Sequence, residues 1–442
     1  MRRYAAVSRF TLVGAVVTGL LGAAVLGSPG IGYPIVAAAV LVVAASARPD
    51  RLTWWHAFGA IAVLALTSVS VFRDAEWLVT LATWLAVVVT GVVLSASWTW
   101  TGTILGAMTP VFVPVRVLRW TRRGTRRLDT GSVKPGRLVL VAAVTSLLVL
   151  VFAALFAGAD PQFERLVDSL TPEWDLGAAF GRLVVFTLVA GGALAAAYVA
   201  VNTPRFDLVA PRPRRTLELW EWTIPLGSLV AVFCAFVFVQ LRTLFGGQDH
   251  VMVTDGLTNA EYARQGFWQL LAVTALTLLV IAVTVGKAPR ISTADRLALR
   301  ILVGALCLLS LVVVASALHR MSLYEQQYGY TTLRLFVTAV ELWLGSVFVL
   351  IMITGLRMSG RWLPRAVGVG AVLTVLGLAA LNPDAYIARH SVERFEQTGK
   401  IDVGYLSRLS SDAAPELDRL PEPYRSCVDT GASTNASCLP GR

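Results

Sequence analysis

Long apolar runs alternate with short polar loops along almost the whole chain. Eleven runs read as spans: Phe10–Gly27, Ile31–Ala47, Thr53–Phe72, Trp77–Ser95, Leu138–Ala157, Leu183–Val201, Leu219–Leu241, Phe267–Val285, Leu297–Leu318, Leu333–Gly355 and Leu363–Leu381. A helix that crosses a bilayer needs about 20 predominantly apolar residues. The predicted fold class is therefore an all-α integral membrane protein with about eleven transmembrane helices. Trp98–Val113 fits this pattern worst, because Trp98 and Trp100 open it and Pro110 and Pro114 break its end. It reads as an interfacial or re-entrant piece.

The loops carry a second pattern, in charge. With the N-terminus inside, the cytoplasmic segments hold Arg2, Arg3 and Arg9, then Arg48 and Arg51 against Asp50. The loop from Val115 to Arg137 follows, with seven Arg and Lys134 against Asp129, a net of +7. Asn202–Leu217, Lys287–Arg300 and Leu356–Arg365 are each net +3. The opposite loops are neutral or acidic, notably Asp160–Asp175 with five carboxylates and one Arg. Inverting the protein would forfeit on the order of 1 kcal/mol per juxtamembrane basic residue. The expected topology is N-terminus cytoplasmic and C-terminus extracytoplasmic, with an anionic inner leaflet as the partner of the basic loops.

Composition sharpens this picture. The chain of 442 residues is 56% hydrophobic and 15% charged, too apolar for soluble packing. Its net charge of +11 sits in short inter-span loops, so a nucleic-acid partner is not expected. Lysine is confined to Lys134, Lys287 and Lys400 among abundant arginine, alanine and valine. That bias reads as high-GC bacterial coding, which places the protein in a bacterial cell (inner) membrane. The Met-Arg-Arg start precedes an apolar run without a small-x-small cleavage site, so an uncleaved first span is expected.

Four regions follow: a four-span N-terminal region (1–97), the interfacial segment and basic loop (98–137), a seven-span core (138–381) and a helical tail (382–442). In the tail, Asn382-Pro383-Asp384 reads as a helix start, with Asn as cap, Pro first and an acid on the positive dipole end. Ala385, Ala388, Val392 and Phe395 share one face, and Gly399 stops the helix. Asp402 opens a second short helix with Tyr405, Leu406 and Leu409, and Pro415 a third piece that ends before Pro421. The expectation is a compact hairpin on the outer membrane surface. Cys234 and Cys307 lie inside spans, whereas Cys427 and Cys438 lie in the tail on the oxidising side. A disulfide between these two would close a short loop and contribute roughly 3 kcal/mol.

The run from Asn382 to Leu417 (NPDAYIARHSVERFEQTGKIDVGYLSRLSSDAAPEL) resembles the terminal signature of a bacterial membrane family, domain of unknown function 4173, with its relative 4153. Leu244-Phe245-Gly246-Gly247 followed by Glu261–Trp268 is a second match, and the resemblance as a whole covers roughly Leu138 to Leu420, leaving the first four spans outside. The resemblance implies a polytopic inner-membrane protein with no established activity. His390 stands where the family usually has Asn, a departure that weakens any role assigned there.

Several constellations could carry chemistry. Thr258-x-x-Glu261 reads as a capping box, with Glu261 and Arg264 facing each other on the first turn and Tyr262, Phe267 and Trp268 in the interfacial belt. This is a capped helix start or an outward polar patch. Glu341 sits near the middle of the tenth span, where a charge costs at least ~3 kcal/mol unless paired or neutralised. It is expected to face the bundle interior, as an interhelical contact or a proton- or cation-linked group. Arg334, seven residues earlier, is expected to snorkel to the outer surface. Glu218 and Glu221 read as interface partners of Arg214 and Arg215, and His56 as interfacial packing. His250, His319 and His390 all fall on the outer side, with Asp249 and Asp384 near, and are weak zinc candidates because no pair has metal-ligand spacing. No resident cofactor is expected.

There is no Gly-Lys-Ser/Thr phosphate loop, Gly-x-Ser-x-Gly elbow or His-Glu-x-x-His. Gly368-Val-Gly370 reads as helix packing. The leading functional reading is a non-enzymatic envelope scaffold or sensor that meets a protein partner through its outer patch and tail. A proton- or ion-coupled transporter using Glu341 is the alternative. A membrane enzyme acting on a lipid-linked substrate, with Glu261, Asp384 and His390 as its outer groups, is the third.

Overall fold

The computed structural model describes residues 7–27, 29–48, 52–113, 116–121, 176–202, 218–245, 267–288, 292–357 and 360–430, with scattered positions between 144 and 163. The described residues are helical, and the chain forms two compact units, Met1–Val209 and Ala210–Arg442. Among the described residues, eight helices are long and apolar enough to cross a membrane, and two more apolar helices, Arg9–Val25 and Gly32–Ala47, are shorter. The protein is a multi-pass membrane protein. The fifth expected span, Leu138–Ala157, lies for the most part outside the described residues.

In the first unit, α1 (Arg9–Val25), α2 (Gly32–Ala47), α3 (Trp54–Phe72) and α4 (Glu76–Ser95) precede two short helices, α5 (Trp100–Ala107) and α6 (Thr109–Phe112), and the long α7 (Leu176–Val201). Ser8 caps α1, its Oγ accepting from Thr11 N at 3.0 Å. His56 is buried with its Nδ1 2.6 Å from Thr53 Oγ1, so it helps to cap α3 as well as packing at its end. Helix α1 lies along α7 through a small-residue seam: a Cβ on Gly19 would meet Ala190 Cβ at 2.8 Å, and one on Gly22 would meet Val189 at 2.9 Å. Without a hydrophobic driving force between helices in lipid, close backbone approach of this kind is what holds them together.

The segment after α4 turns back. Ala96 adopts a left-handed conformation at the end of α4, and α5 packs against the helix it has just left. Eight residues rise only about 12 Å, against a hydrocarbon layer of about 30 Å. Pro110 falls in the first turn of α6, where its missing N–H costs nothing. Trp98–Val113, expected as an interfacial or re-entrant piece, forms two short helices, neither of which is long enough to span by itself.

In the second unit, α8 (Leu219–Phe245), α9 (Phe267–Lys287), α10 (Thr293–Tyr328), α11 (Thr332–Arg357) and α12 (Leu363–Leu381) form a bundle centred on α10. Its core joins Trp222, Leu226 and Phe233 of α8, Leu270 and Ile281 of α9, Leu306, Val313 and Ala317 of α10, and Phe348 of α11. The expected partners of Glu218 and Glu221, Arg214 and Arg215, lie outside the described residues. Glu221 Oε2 accepts from Glu218 N at 2.7 Å and Glu218 Oε2 from Trp220 Nε1 at 2.8 Å, so the pair caps α8.

Helix α10 corrects the sequence reading at both ends. Ser292 and Asp295 form a reciprocal capping box at 2.9 and 3.1 Å, which starts the helix four residues before Leu297. At the other end the expected loop His319–Tyr330 is helical as far as Tyr328. Hydropathy ends the span at Leu318, but Arg320, Met321, Leu323 and Glu325 are good helix formers and the helix continues until Gly329, in a left-handed conformation at φ 79°, stops it.

The tail is a small helical module: α13 (Pro383–Thr398), α14 (Val403–Leu406), a 3-10 turn at Ser411–Ala413, α15 (Ala414–Leu417) and α16 (Tyr424–Thr430). It has its own core of Val392, Val403, Leu406, Leu420, Cys427 and Val428. The stop at Gly399 and the start at Asp402 are where the sequence puts them, with Asp402 Oδ1 accepting from Tyr405 N at 3.0 Å. The expected hairpin is incomplete, because α16 continues past Pro423 and completes the core.

Candidate functional site at the docked tail

The tail is aimed by a tight corner. Asn382 lies in the left-handed region (φ 55°, ψ 77°), closing α12 with its N–H on Ala379 O and opening α13 with its carbonyl accepting from Tyr386 N at 2.9 Å. Asn is among the few residues that visit this conformation readily. The expected side-chain cap is absent, and this corrects the sequence reading: a cap residue needs extended backbone, and here Oδ1 is buried without a partner. Asp384, in the first turn, does more than complement the dipole. Its carboxylate is 3% exposed, and Oδ2 accepts from Ser410 N at 2.9 Å and Ser410 Oγ at 2.7 Å. It ties α13 to the turn before the 3-10 segment.

The module then docks on the α10–α11 turn. Tyr405 Oη accepts from Thr332 N at 2.7 Å and lies 3.0 Å from Thr332 Oγ1. Tyr330 packs edge-on against Tyr386 at 5.2 Å and tilted against His390 at 4.7 Å, and the Tyr386 and His390 rings meet at a tilt at 4.2 Å. His390 Nδ1 lies 2.9 Å from Tyr386 O, so that nitrogen carries the hydrogen. Burial, and then the neighbouring Tyr386 and Glu325, push the Tyr330 phenol up to about 12, so it stays a neutral donor at physiological pH. Gly329 is favoured by its positive φ of 79°; a Cβ there would also meet Arg394 Nη1 at 2.9 Å, which that flexible side chain can yield.

Arg334 points from α11 back toward the α10–α11 turn. It folds back over the Tyr324 ring at 4.3 Å and donates to Gly329 O. The free carbonyl of a helix C-terminus and an aromatic face offer it more than the lipid boundary does. Glu325 sits in the same corner, 7% exposed, with Oε1 lacking a hydrogen-bond partner.

The structure therefore brings Asn382, Asp384 and His390 together at one seam and keeps Glu341 apart from them. Glu341 lies nine residues into α11 from Thr332, about 14 Å along the axis, and is fully buried with neither carboxyl oxygen hydrogen-bonded. The outer patch of Glu261, Tyr262 and Arg264 lies outside the described residues, as do His250 and Cys438. His319 is exposed on α10. Among the described residues, no three His, Cys, Asp or Glu side chains converge as metal ligands. Cys427 is buried in the tail core. Sequence reasoning missed Tyr405, Thr332, Tyr330 and Arg394. The Tyr328-Gly329-Tyr330 run, glycine between aromatics after an amphipathic stretch, was the available signal.

Residues 60–420 match the family described as Domain of unknown function (DUF4153). The match identifies the relative rather than 4173. It also begins earlier than the resemblance at Leu138, taking in most of α3 and all of α4. No curated protein and no solved structure matches the chain.

Proposed function

From the premise that the chain belongs to the DUF4153 family, we propose a non-enzymatic envelope scaffold or sensor in the inner membrane of a bacterium. Its N-terminus is cytoplasmic, its basic loops lie on the anionic inner leaflet, and its tail is extracytoplasmic. The observation that carries this reading is a tail with its own apolar core that is nevertheless fastened by side chains to the α10–α11 turn. A module held that way can transmit a partner's pull or release to the helices beneath it.

The partner's surface is the remaining face of the tail. It is exposed and charged, with Arg389, Glu396 and Arg419 in ion pairs of 3.1 to 3.4 Å and Arg425 2.7 Å from Asp418. Exposed pairs like these contribute little stability and are free to exchange for a partner's charges. A disulfide between Cys427 and Cys438 would close the end of the module. The lipid-linked enzyme reading is the weaker one, because Asp384 and His390 Nδ1 are engaged by Ser410 and Tyr386.

The test is to undock the tail without unfolding it. Tyr405→Phe removes the hydroxyl shared with Thr332 and should weaken docking by about 1–2 kcal/mol. Combined with Tyr386→Ala, it should reproduce the phenotype of a gene deletion at normal membrane abundance; full complementation would overturn the reading. Topology has its own check: after reduction, a membrane-impermeant maleimide should label Cys438 in intact cells. Labelling only after lysis would refute the orientation.

A further inference from the structure

Glu341 is not an isolated oddity, as the register of the second bundle reveals. A Cβ on Gly345 would lie 3.4 Å from Val314, Val337 clusters with Met321, and Arg334 covers Tyr324. These three pairings set α10 and α11 antiparallel and put Glu341 level with Ala317 and Leu318. Ser316 is at that level, and its Oγ donates to Gln240 Oε1 of α8 at 3.3 Å. Leu271 of α9 packs in the cluster with Val337, so Thr274, one turn further along α9, reaches the level of Glu341. Gln240, Thr274, Ser316 and Glu341 are 7%, 1%, 6% and 0% exposed. Four helices thus place one polar group each in a single buried layer, while the neighbouring layers are mostly Leu, Val, Ala and Phe, with the hydroxyls of Thr277, Thr338 and Ser310 as their buried polar groups.

The hydroxyls have local partners: Thr274 donates to Leu270 O at 2.9 Å, and Ser316 is bonded to Gln240. Glu341 alone has neither oxygen bonded. A membrane helix keeps an acid in such a place at a cost of several kcal/mol, and such groups face a bundle interior where an ion or proton passes. Among the described residues, no charge on the packed helices bonds it. Helix α9 has no titratable side chain before Lys287, and α12 carries Arg365 at its start. On α10, Cys307 lies about three turns away, and Arg320 and the exposed His319 follow within a turn. On α13, Asp384 is held by Ser410.

We propose that this layer is a proton-exchange site, with the Glu341 carboxyl as the group that takes up and releases the proton. Protonated, the side chain is neutral and compatible with its apolar neighbours. Releasing the proton to water leaves a carboxylate that must move toward the Thr274, Ser316 and Gln240 groups, so the two states differ in helix packing. This is a proton-linked activity separate from the tail docking and independent of the sensor reading.

The test uses the full-length protein in detergent and in vesicles. Dicyclohexylcarbodiimide, which modifies protonated carboxyls in apolar surroundings, should label the peptide that contains Glu341. Labelling should fall about tenfold per pH unit once the carboxyl ionises. Glu341→Gln, nearly isosteric, should abolish the label while Tyr405→Phe leaves it intact. A difference infrared spectrum of wild type against Glu341→Gln should show a protonated-carboxyl band that disappears with rising pH. This band reads the same proton without depending on access of the reagent. A band and label unchanged from pH 5 to 9, or no band at all, would overturn the proposal. Protection by sodium at fixed pH would overturn the proton assignment in favour of a metal cation.

Discussion

Asp384→Ala should release the tail's first helix from its second half, at a cost of about 3 kcal/mol. Two hydrogen bonds to an ionised acceptor are lost, each contributing about 1.5–3 kcal/mol, and the Ser410 N–H and hydroxyl are left without their acceptor. The carboxylate also sits in the first turn of α13, where the helix dipole favours it by a further few tenths to 1 kcal/mol. Water entering the opened turn recovers part of this. The readout is trypsin cleavage at Arg408 and Arg419 in membrane vesicles, which tracks the open population and should rise about a hundredfold. Asp384→Asn keeps an acceptor for Ser410 and should fall between wild type and Ala. Cleavage unchanged in both variants would mean that the latch does not hold the module.

Gly91→Ala should destabilise the first unit by pushing α5 off α4. Its Cβ would lie 2.5 Å from Gly106 O, a backbone atom that no rotamer change can move aside. Gly106 is tight in turn, with Ser95 Oγ at 2.5 Å from its own Cβ position and Val92 Cα at 3.2 Å. The helix α5 must therefore lift away from α4, at a cost of about 1–3 kcal/mol for overpacking. In detergent the thermal midpoint should fall by about 5 °C, given some 2–4 °C per kcal/mol for a unit of this size. Gly181→Ala, with nothing within 4 Å of its Cβ, is the matched control and should be close to neutral. Equal behaviour of the two variants would show that α5 does not pack as described.

How legible these features were depends on the distance over which each is decided. Helix α12 coincides with its expected span residue for residue, because Pro364 fixes its start and the Asn382-Pro383 pair its end. Glu341 stood out for a similar reason: an acid inside an apolar run is a local contradiction that sequence alone exposes. The last turns of α10 were hidden because hydropathy measures the fit to lipid, whereas His319–Tyr328 is held helical by propensity and by packing of Met321 and Glu325. Asn382 was misread because the same residue type serves as an extended cap or a left-handed corner, and only the direction of the next helix decides. The seam itself was out of reach, since Thr332 and Tyr405 are 73 residues apart and Asp384 and Ser410 are 26 apart, with no periodicity linking them.

The thirty-six residues of α10 make a rod of about 54 Å, set against a hydrocarbon layer of about 30 Å. Tilt absorbs only part of that excess; in the topology proposed above, the polar last turns His319–Tyr328 form a stalk that carries the Gly329 turn beyond the hydrocarbon. The tail's height above the lipid is thus governed by helix length and not by linker slack. Removing one turn from the stalk would lower it by about 5.4 Å, toward the headgroups and away from anything that approaches from the water.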